Sequence, residues 1–251
     1  MIYLYGLTNA PDASALDTLE GVTGPVQTTA LESGPTLIHS PHDGAEVRAK
    51  RKALLAHARV LETALTSGTV LPMRFGLVAR DLDEVAELVA AKSATIDEHF
   101  DRLSGLIELG LRVTFDTQQA LQYQLSRDSA LAAQRAALAK ARSDHMAQAE
   151  FGRRLGDALD RHRTDCQRAL LTALRPHVSD LVVRTPEAEA QLLAADILIP
   201  ADAQDDIAQR VDTLARDTGF LPEAEPQIRL VGPVPPYNFV RFDLGRLAEP
   251  A

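Results

Sequence analysis

The chain has 251 residues, enough for one large domain or two of ordinary size, and a length at which roughly three-quarters of the unfolded surface can be buried without a disulfide or metal staple. Its 26 basic and 35 acidic residues give a net charge of −9, which argues against a general nucleic-acid binder. The single cysteine, Cys166, excludes an internal disulfide framework and any multi-cysteine metal site, and 39 alanines against 11 aromatics lean toward helix.

In chain order, Ile2-Tyr3-Leu4-Tyr5-Gly6-Leu7 predicts a strand with Tyr3 and Tyr5 on one face. No basic leader precedes it and Asp12 and Asp17 follow at once, so a signal peptide is not expected. No run of 18 apolar residues occurs, so no membrane span is expected either, and the expected compartment is the cytoplasm. Pro11, Gly21, Gly24 and Pro25 mark loop, and 26–32 and 36–39 flank Ser33-Gly34-Pro35 as a hairpin. A helix over 47–66 carries an apolar stripe of Leu54, Leu55, Ala58, Leu61, Ala64 and Leu65. Arg48, Lys50, Arg51, Lys52 and Arg59 fall on its other, solvated face.

Residues 70–78 predict a second strand, with Leu71, Met73, Phe75 and Leu77 on one side and Pro72 at its start or at an edge. Arg74 points the other way, between Pro72 and Gly76, with room to reach across the sheet. Asp81 and Glu84 have capping-box spacing for a long helix whose stripe runs Leu82, Val85, Val89, Ile96, Phe100, Leu103 and Ile107, with Gly110 closing it. Glu108 then falls in the last turn, where the helix dipole repels a carboxylate; it is expected either to pair with Arg74 or Arg112 or to face solvent. Leu111–Asp116 reads as another strand.

Residues 117–175 contain no proline and predict one or two long helices, broken near Arg142-Ser143-Asp144, with Phe151, Leu155, Leu159, Cys166, Leu170 and Leu174 on the apolar stripe. A hairpin over 178–184 and 194–199, a helix over 201–218 capped by Gly219, and a strand over 227–231 follow. Pro233, Pro235 and Pro236 stiffen the chain after it, and Tyr237 and Phe239 are expected on one face of the segment they lead into. The fold class is therefore α+β with two domains. Residues 1–118 form an N-terminal ferredoxin-like layer; residues 119–251 form a second α+β domain elaborated by long helices and ending in the proline-rich strand.

Catalytic patterns are missing: there is no phosphate loop, GxGxxG, nucleophile elbow or HExxH. His39, His42 and Asp43 straddle Pro41 in a turn, the Asp97–Asp101 cluster lies on an outer helix face, and Cys166 lies on an apolar stripe. No catalytic, cofactor or metal residues are assigned, and no cofactor is expected.

Two motifs carry a resemblance. Val70-Leu71-Pro72-Met73-Arg74-Phe75-Gly76 resembles the central block of the gas vesicle accessory protein family of GvpF/GvpL type, and Gly232-Pro233-Val234-Pro235-Pro236-Tyr237-Asn238-Phe239 resembles its C-terminal signature. Ile2–Gly6 and Ile107–Val113 are similar to further family segments, in the same order. The resemblance implies a non-enzymatic gas vesicle assembly or minor shell-associated protein, acting with the small hydrophobic shell protein GvpA and other accessory proteins. It also implies a two-domain α+β fold with ferredoxin-like elements. Pro72, Arg74, Phe75, Gly76 and Glu108 are then structural residues, and Pro233, Pro235, Pro236, Tyr237 and Phe239 are candidates for the partner interface. The cationic stretch 127–175 is a second such candidate. The competing function is a ferredoxin-like, small-molecule-binding regulatory protein with a concave polar pocket.

Overall fold

The computed structural model of the protein describes residues 1–10, 12–140, 145–188 and 190–241. Contacts gather into two compact units, one formed by Met1–Glu108 with the described chain from Gly232, the other by Leu109–Val231. The described chain from Gly232 packs with the first unit, which therefore draws on two separate stretches of sequence.

The first unit contains β1 (Ile2–Thr8), β2 (Gln27–Ala30), β3 (Thr36–Pro41), α1 (Arg51–Leu65), β4 (Val70–Pro72), β5 (Val78–Ala79), α2 (Leu82–Ala91) and α3 (Ser93–Leu103). The strand order is β2-β3-β1-β4, with β5 also on β1, and every pair is antiparallel. That is the order of a ferredoxin-like layer whose first crossover has shrunk to a 3₁₀ turn at Ser14–Leu16. Tyr3 through Thr8 are all buried, so β1 is covered on both faces rather than on one. A register shift between Leu4 and Gly6 marks a bulge on β1. A Cβ on Gly6 would stand 2.6 Å from the Leu71 carbonyl oxygen of β4, so only glycine fits this approach.

Three expectations about this unit change. In α1 the buried positions are His57, Val60, Leu61 and Ala64, in i, i+3, i+4, i+7 phase. The helix begins at Arg51, and its first turn runs past that buried stripe, leaving Leu54 43% and Leu55 58% exposed. The strand expected over 70–78 stops at Pro72, the chain turns with Gly76 at φ +88°, and β5 resumes at Val78. Pro72 has no N–H to donate to a ladder, so a strand end suits it.

The helix expected from Asp81 to Gly110 is two helices. Asp81 caps α2 by accepting from the Glu84 N–H at 2.9 Å, and Glu84 reaches back to the Arg80 N–H at 2.7 Å, a capping box displaced by one residue. The turn at Lys92 separates α2 from α3, and the left-handed residue after α3 is Gly105, at φ +70°, not Gly110.

The next strand, β6 (Leu106–Thr114), opens the second unit's sheet. It is followed by α4 (Thr117–Arg127), α5 (Ser129–Lys140), α6 (His145–Leu174), β7 (Asp180–Val183), β8 (Gln191–Pro200), α7 (Gln204–Asp217) and β9 (Gln227–Val234). The order β7-β8-β6-β9 repeats, strand for strand, the order of the first sheet, with helices α4–α6 filling the crossover that the first unit leaves short. Asp128 ends α4 and caps α5, accepting from the Ala130 and Leu131 N–H groups at 2.9 and 3.0 Å. The break expected at Arg142–Asp144 lies outside the described residues. Leu155, Leu159, Cys166, Leu170 and Leu174 form the buried stripe of α6, as their spacing predicts.

Candidate functional site

The first family-like block is held by a buried hydrogen-bond chain. The Tyr3 hydroxyl lies 2.8 Å from His57 Nδ1, and His57 Nε2 lies 3.2 Å from the Met73 carbonyl oxygen. A carbonyl only accepts, so Nε2 carries the proton, Nδ1 is the acceptor and the Tyr3 hydroxyl donates to it. The same hydroxyl accepts from the Gly76 N–H at 3.1 Å, which fixes the far side of the turn. Met73 N–H donates to the Tyr5 carbonyl at 2.8 Å. The Tyr3 and Tyr5 rings meet edge-to-face with centroids 4.9 Å apart, and Phe75 lies edge-on to Tyr3. Burial pushes the Tyr3 hydroxyl well above its ordinary pKa and pulls His57 below the usual imidazole value, so this chain of bonds is neutral.

Within this block Pro72 is buried, Phe75 packs partly against the core, and Gly76 supplies the turn. Arg74 does not cross the sheet: it is exposed and has no hydrogen bond or ion pair among the described residues. The strand that would have aimed it inward ends two residues earlier. Sequence reasoning missed His57. Its phase with Leu61 and Ala64 places it on the inner face, but nothing local announces a partner 54 residues away.

The second block folds back onto the first unit. Gly232–Pro233 is cis, and Tyr237, Asn238 and Phe239 form a turn rather than a strand face. Tyr237 N–H donates to Pro235 O at 2.7 Å and Phe239 N–H to Pro236 O at 3.0 Å. Pro235, Pro236 and Phe239 are buried; Pro233 and Tyr237 remain exposed. Although Tyr237 is 39% exposed as a residue, its hydroxyl end is desolvated, and this, with the Glu62 and Glu108 carboxylates nearby, pushes the hydroxyl up.

Glu108 anchors this turn. It lies in β6, not in a last helical turn, and is 3% exposed. Its carboxylate accepts from the Asn238 backbone N–H at 2.9 Å and from Asn238 Nδ2 at 2.5 Å. Neither Arg74 nor Arg112 pairs with it. Arg112 instead donates to Ala195 O at 3.2 Å and stands 3.9 Å from Asp196, whose other oxygen takes Arg184 at 2.5 Å. The Arg102 guanidinium donates to the Phe239 carbonyl and completes the hold on the C-terminal turn.

The cationic helices offer fewer free charges than their sequence implies. Arg153 is shared between Glu150 and Asp157, Arg163 pairs with Asp160, and Arg168 pairs with Asp165, all within α6. Burial pushes the Cys166 thiol up, and it donates to the Thr218 carbonyl at 3.4 Å, so it is a packing residue rather than a nucleophile. Among the described residues no three His, Cys, Asp or Glu side chains are placed to hold a metal ion, and no helix is long and apolar enough to cross a membrane.

Comparison with known proteins bears on these two blocks. The family model described as "Gas vesicle synthesis protein GvpL/GvpF" matches residues 1–241, which include both. The chain belongs to the GvpL/GvpF family. Gas vesicle protein F of Microcystis aeruginosa (strain PCC 7806) is 25% identical over 244 residues, covering 96% of this chain and 98% of that protein. Gas vesicle protein F of Streptomyces sp. (strain CB03234) is 27% identical over 243 residues, covering 95% and 98%. The crystal structure of GvpF from Anabaena sp. PCC7120 superposes with a TM-score of 0.79 at 24% identity, covering 96% of this chain and 98% of that one. For GvpF from Microcystis aeruginosa the TM-score is 0.73 at 25% identity, covering 96% and 99%. The α+β fold is thus common to this GvpL/GvpF chain and those GvpF proteins.

Proposed function

We propose that this chain takes part, without catalysing a reaction, in building gas vesicles, the gas-filled shells that give cells buoyancy. In this reading it works in the cytoplasm and on the growing vesicle, contacting the small hydrophobic shell protein GvpA and other accessory proteins. The family match over residues 1–241 carries the reading. A strongly apolar shell subunit aggregates unless something covers it before insertion. A water-soluble protein with a few exposed apolar side chains is suited to that task. Leu54, Leu55 and Tyr237 are such side chains in the first unit, and Pro233 adds a stiff exposed position near Tyr237 in sequence. Pro235, Pro236 and Phe239, being buried, act in this reading by shaping the turn that presents Tyr237.

The test is deletion of the gene in a vesicle-forming host, followed by complementation. The expected result is loss or malformation of vesicles, restored by the wild-type chain, and recovery of GvpA crosslinked to an affinity-tagged copy. Intact vesicles at normal yield in the deletion strain would overturn the proposal.

A further inference from the structure

The first unit carries an open groove of about 1220 Å³, formed by the 20–24 turn, the 41–48 segment and the first half of α1. It exceeds the usual size of a metabolite pocket, roughly 300–1,000 Å³, and its shape is open. Lys52, Leu55 and Arg59, at helical spacing on α1, make one exposed wall.

Two observations bear on what fits there. The first is charge. Between Val47 and Leu61 the sequence has five basic residues and no acidic one, in a chain of net charge −9. Of the groove cations, Arg48 is held by Glu46 at 3.4 Å, while Lys50, Lys52 and Arg59 have no carboxylate partner among the described residues. Glu20, Asp43 and Glu46 also line the groove, so it holds four cations against three carboxylates, and the cations without a carboxylate partner among the described residues lie at the start of α1 and along it.

The second observation is the start of α1. Lys50 provides no side-chain cap and the first turn contains no acidic residue, so the helix's N-terminal N–H groups and the positive end of its dipole are left to an outside carboxylate.

We infer that this groove docks an acidic amphipathic helix from a partner protein. Carboxylates on that helix face Lys50, Lys52, Arg59 and the start of α1, and its apolar stripe covers Leu55. A helix suits the wall because Lys52, Leu55 and Arg59 repeat at the 3–4 residue spacing that packs against another helix. The inference does not depend on the identity of the vesicle partner.

A fluorescein-labelled helical peptide of about 15 residues, matching the length of α1, with leucine at its a and d positions and glutamate on its polar face, serves as probe. A second peptide replaces every glutamate with lysine. Anisotropy titration of the full chain is expected to show the glutamate peptide binding about tenfold more tightly at low salt, with the preference shrinking as salt rises. Lys52→Glu with Arg59→Glu is expected to abolish the preference. Leu55→Ser is expected to weaken binding of the glutamate peptide about threefold or more. All these positions are exposed, and unchanged circular-dichroism melts confirm folding. Equal binding of the two peptides by the wild-type chain, or a preference that survives the double substitution, would overturn the inference.

Discussion

Replacing Tyr3 with Phe keeps the ring and removes one oxygen. Tyr3 is fully buried, so its edge-to-face packing on Tyr5 survives and the perturbation is confined to the hydroxyl. That hydroxyl serves two groups. Gly76 is exposed, so its N–H can turn to water and costs little. His57 is 4% exposed, so its Nδ1 becomes a buried acceptor without a donor. An orphaned buried group costs about 1–3 kcal/mol, and the Gly76 bond adds little, so the expected loss is about 1–3 kcal/mol. That is large against the roughly 5–15 kcal/mol of total stability of a native protein.

The pH dependence gives a second and sharper readout. Burial depresses His57 below its ordinary value of 6.5, so the folded protein binds its proton less readily than the unfolded chain does. The stability from neutral His57 is therefore fully present above about pH 6.5 and is lost as pH falls from there through the depressed folded value. In Tyr3→Phe, neutral His57 has lost the bond that favoured it, so the pH slope between wild type and variant should differ, the variant being flatter. His39 and His99 are also depressed by burial, but they contribute equally to both proteins and cancel in the difference. Because two compact units can unfold separately, hydrogen exchange of peptides covering 1–10 and 70–79, measured from pH 5 to 8, is the appropriate assay. A loss below about 0.5 kcal/mol together with parallel pH slopes would refute the tautomer and the bonding chain built on it.

Gly6→Ala is expected to destabilise the first unit by about 1–3 kcal/mol, since the new methyl meets a backbone oxygen of β4 that cannot rotate away; a chemical-denaturation midpoint equal to wild type would count against the close approach. Arg74→Ala is expected to stay within about 0.5 kcal/mol by the same measurement, because the guanidinium is exposed and has no partner among the described residues; a larger loss would mean that the turn depends on it.

Local signals made much of the fold readable. The β1 run, the Ser33–Pro35 hairpin, the α6 stripe and the Gly219 stop each depend on residues within a turn or two of one another, and each was found where its pattern places it. What escaped depends on distance or on where an element meets its neighbour. Periodicity places Leu54 and Leu61 on the same side of α1 but cannot tell that the first turn runs past the buried stripe. Glycine at 105 or at 110 could end α3; Gly110 instead lies in β6, where an added Cβ would stand 3.7 Å from Val231 of β9. Glu108 looked like a misplaced helical charge because its partner, Asn238, is 130 residues away. Tyr3 and His57 are separated by 54 residues, and no pattern in either segment ties them together.

The residues by which the family is recognised are mostly residues that hold the backbone. Pro72 ends β4, Gly76 turns the chain, Pro235, Pro236 and Phe239 fill the C-terminal turn, and Glu108 ties that turn down. A protein 24% identical to this one keeps the same backbone to a TM-score of 0.79, which is possible because backbone-setting positions are few and tightly constrained by sterics and buried hydrogen bonds. Such positions fix what the protein is built like, whereas the choice of partner depends on side chains that reach the surface. On the surfaces proposed above, those are Pro233 and Tyr237 within the signature and, outside both motifs, the Lys52, Leu55 and Arg59 wall of α1. Substitutions in the motifs should therefore lower stability and function together. Charge reversal on the α1 wall should separate them, abolishing partner binding in a protein that still melts at its normal temperature.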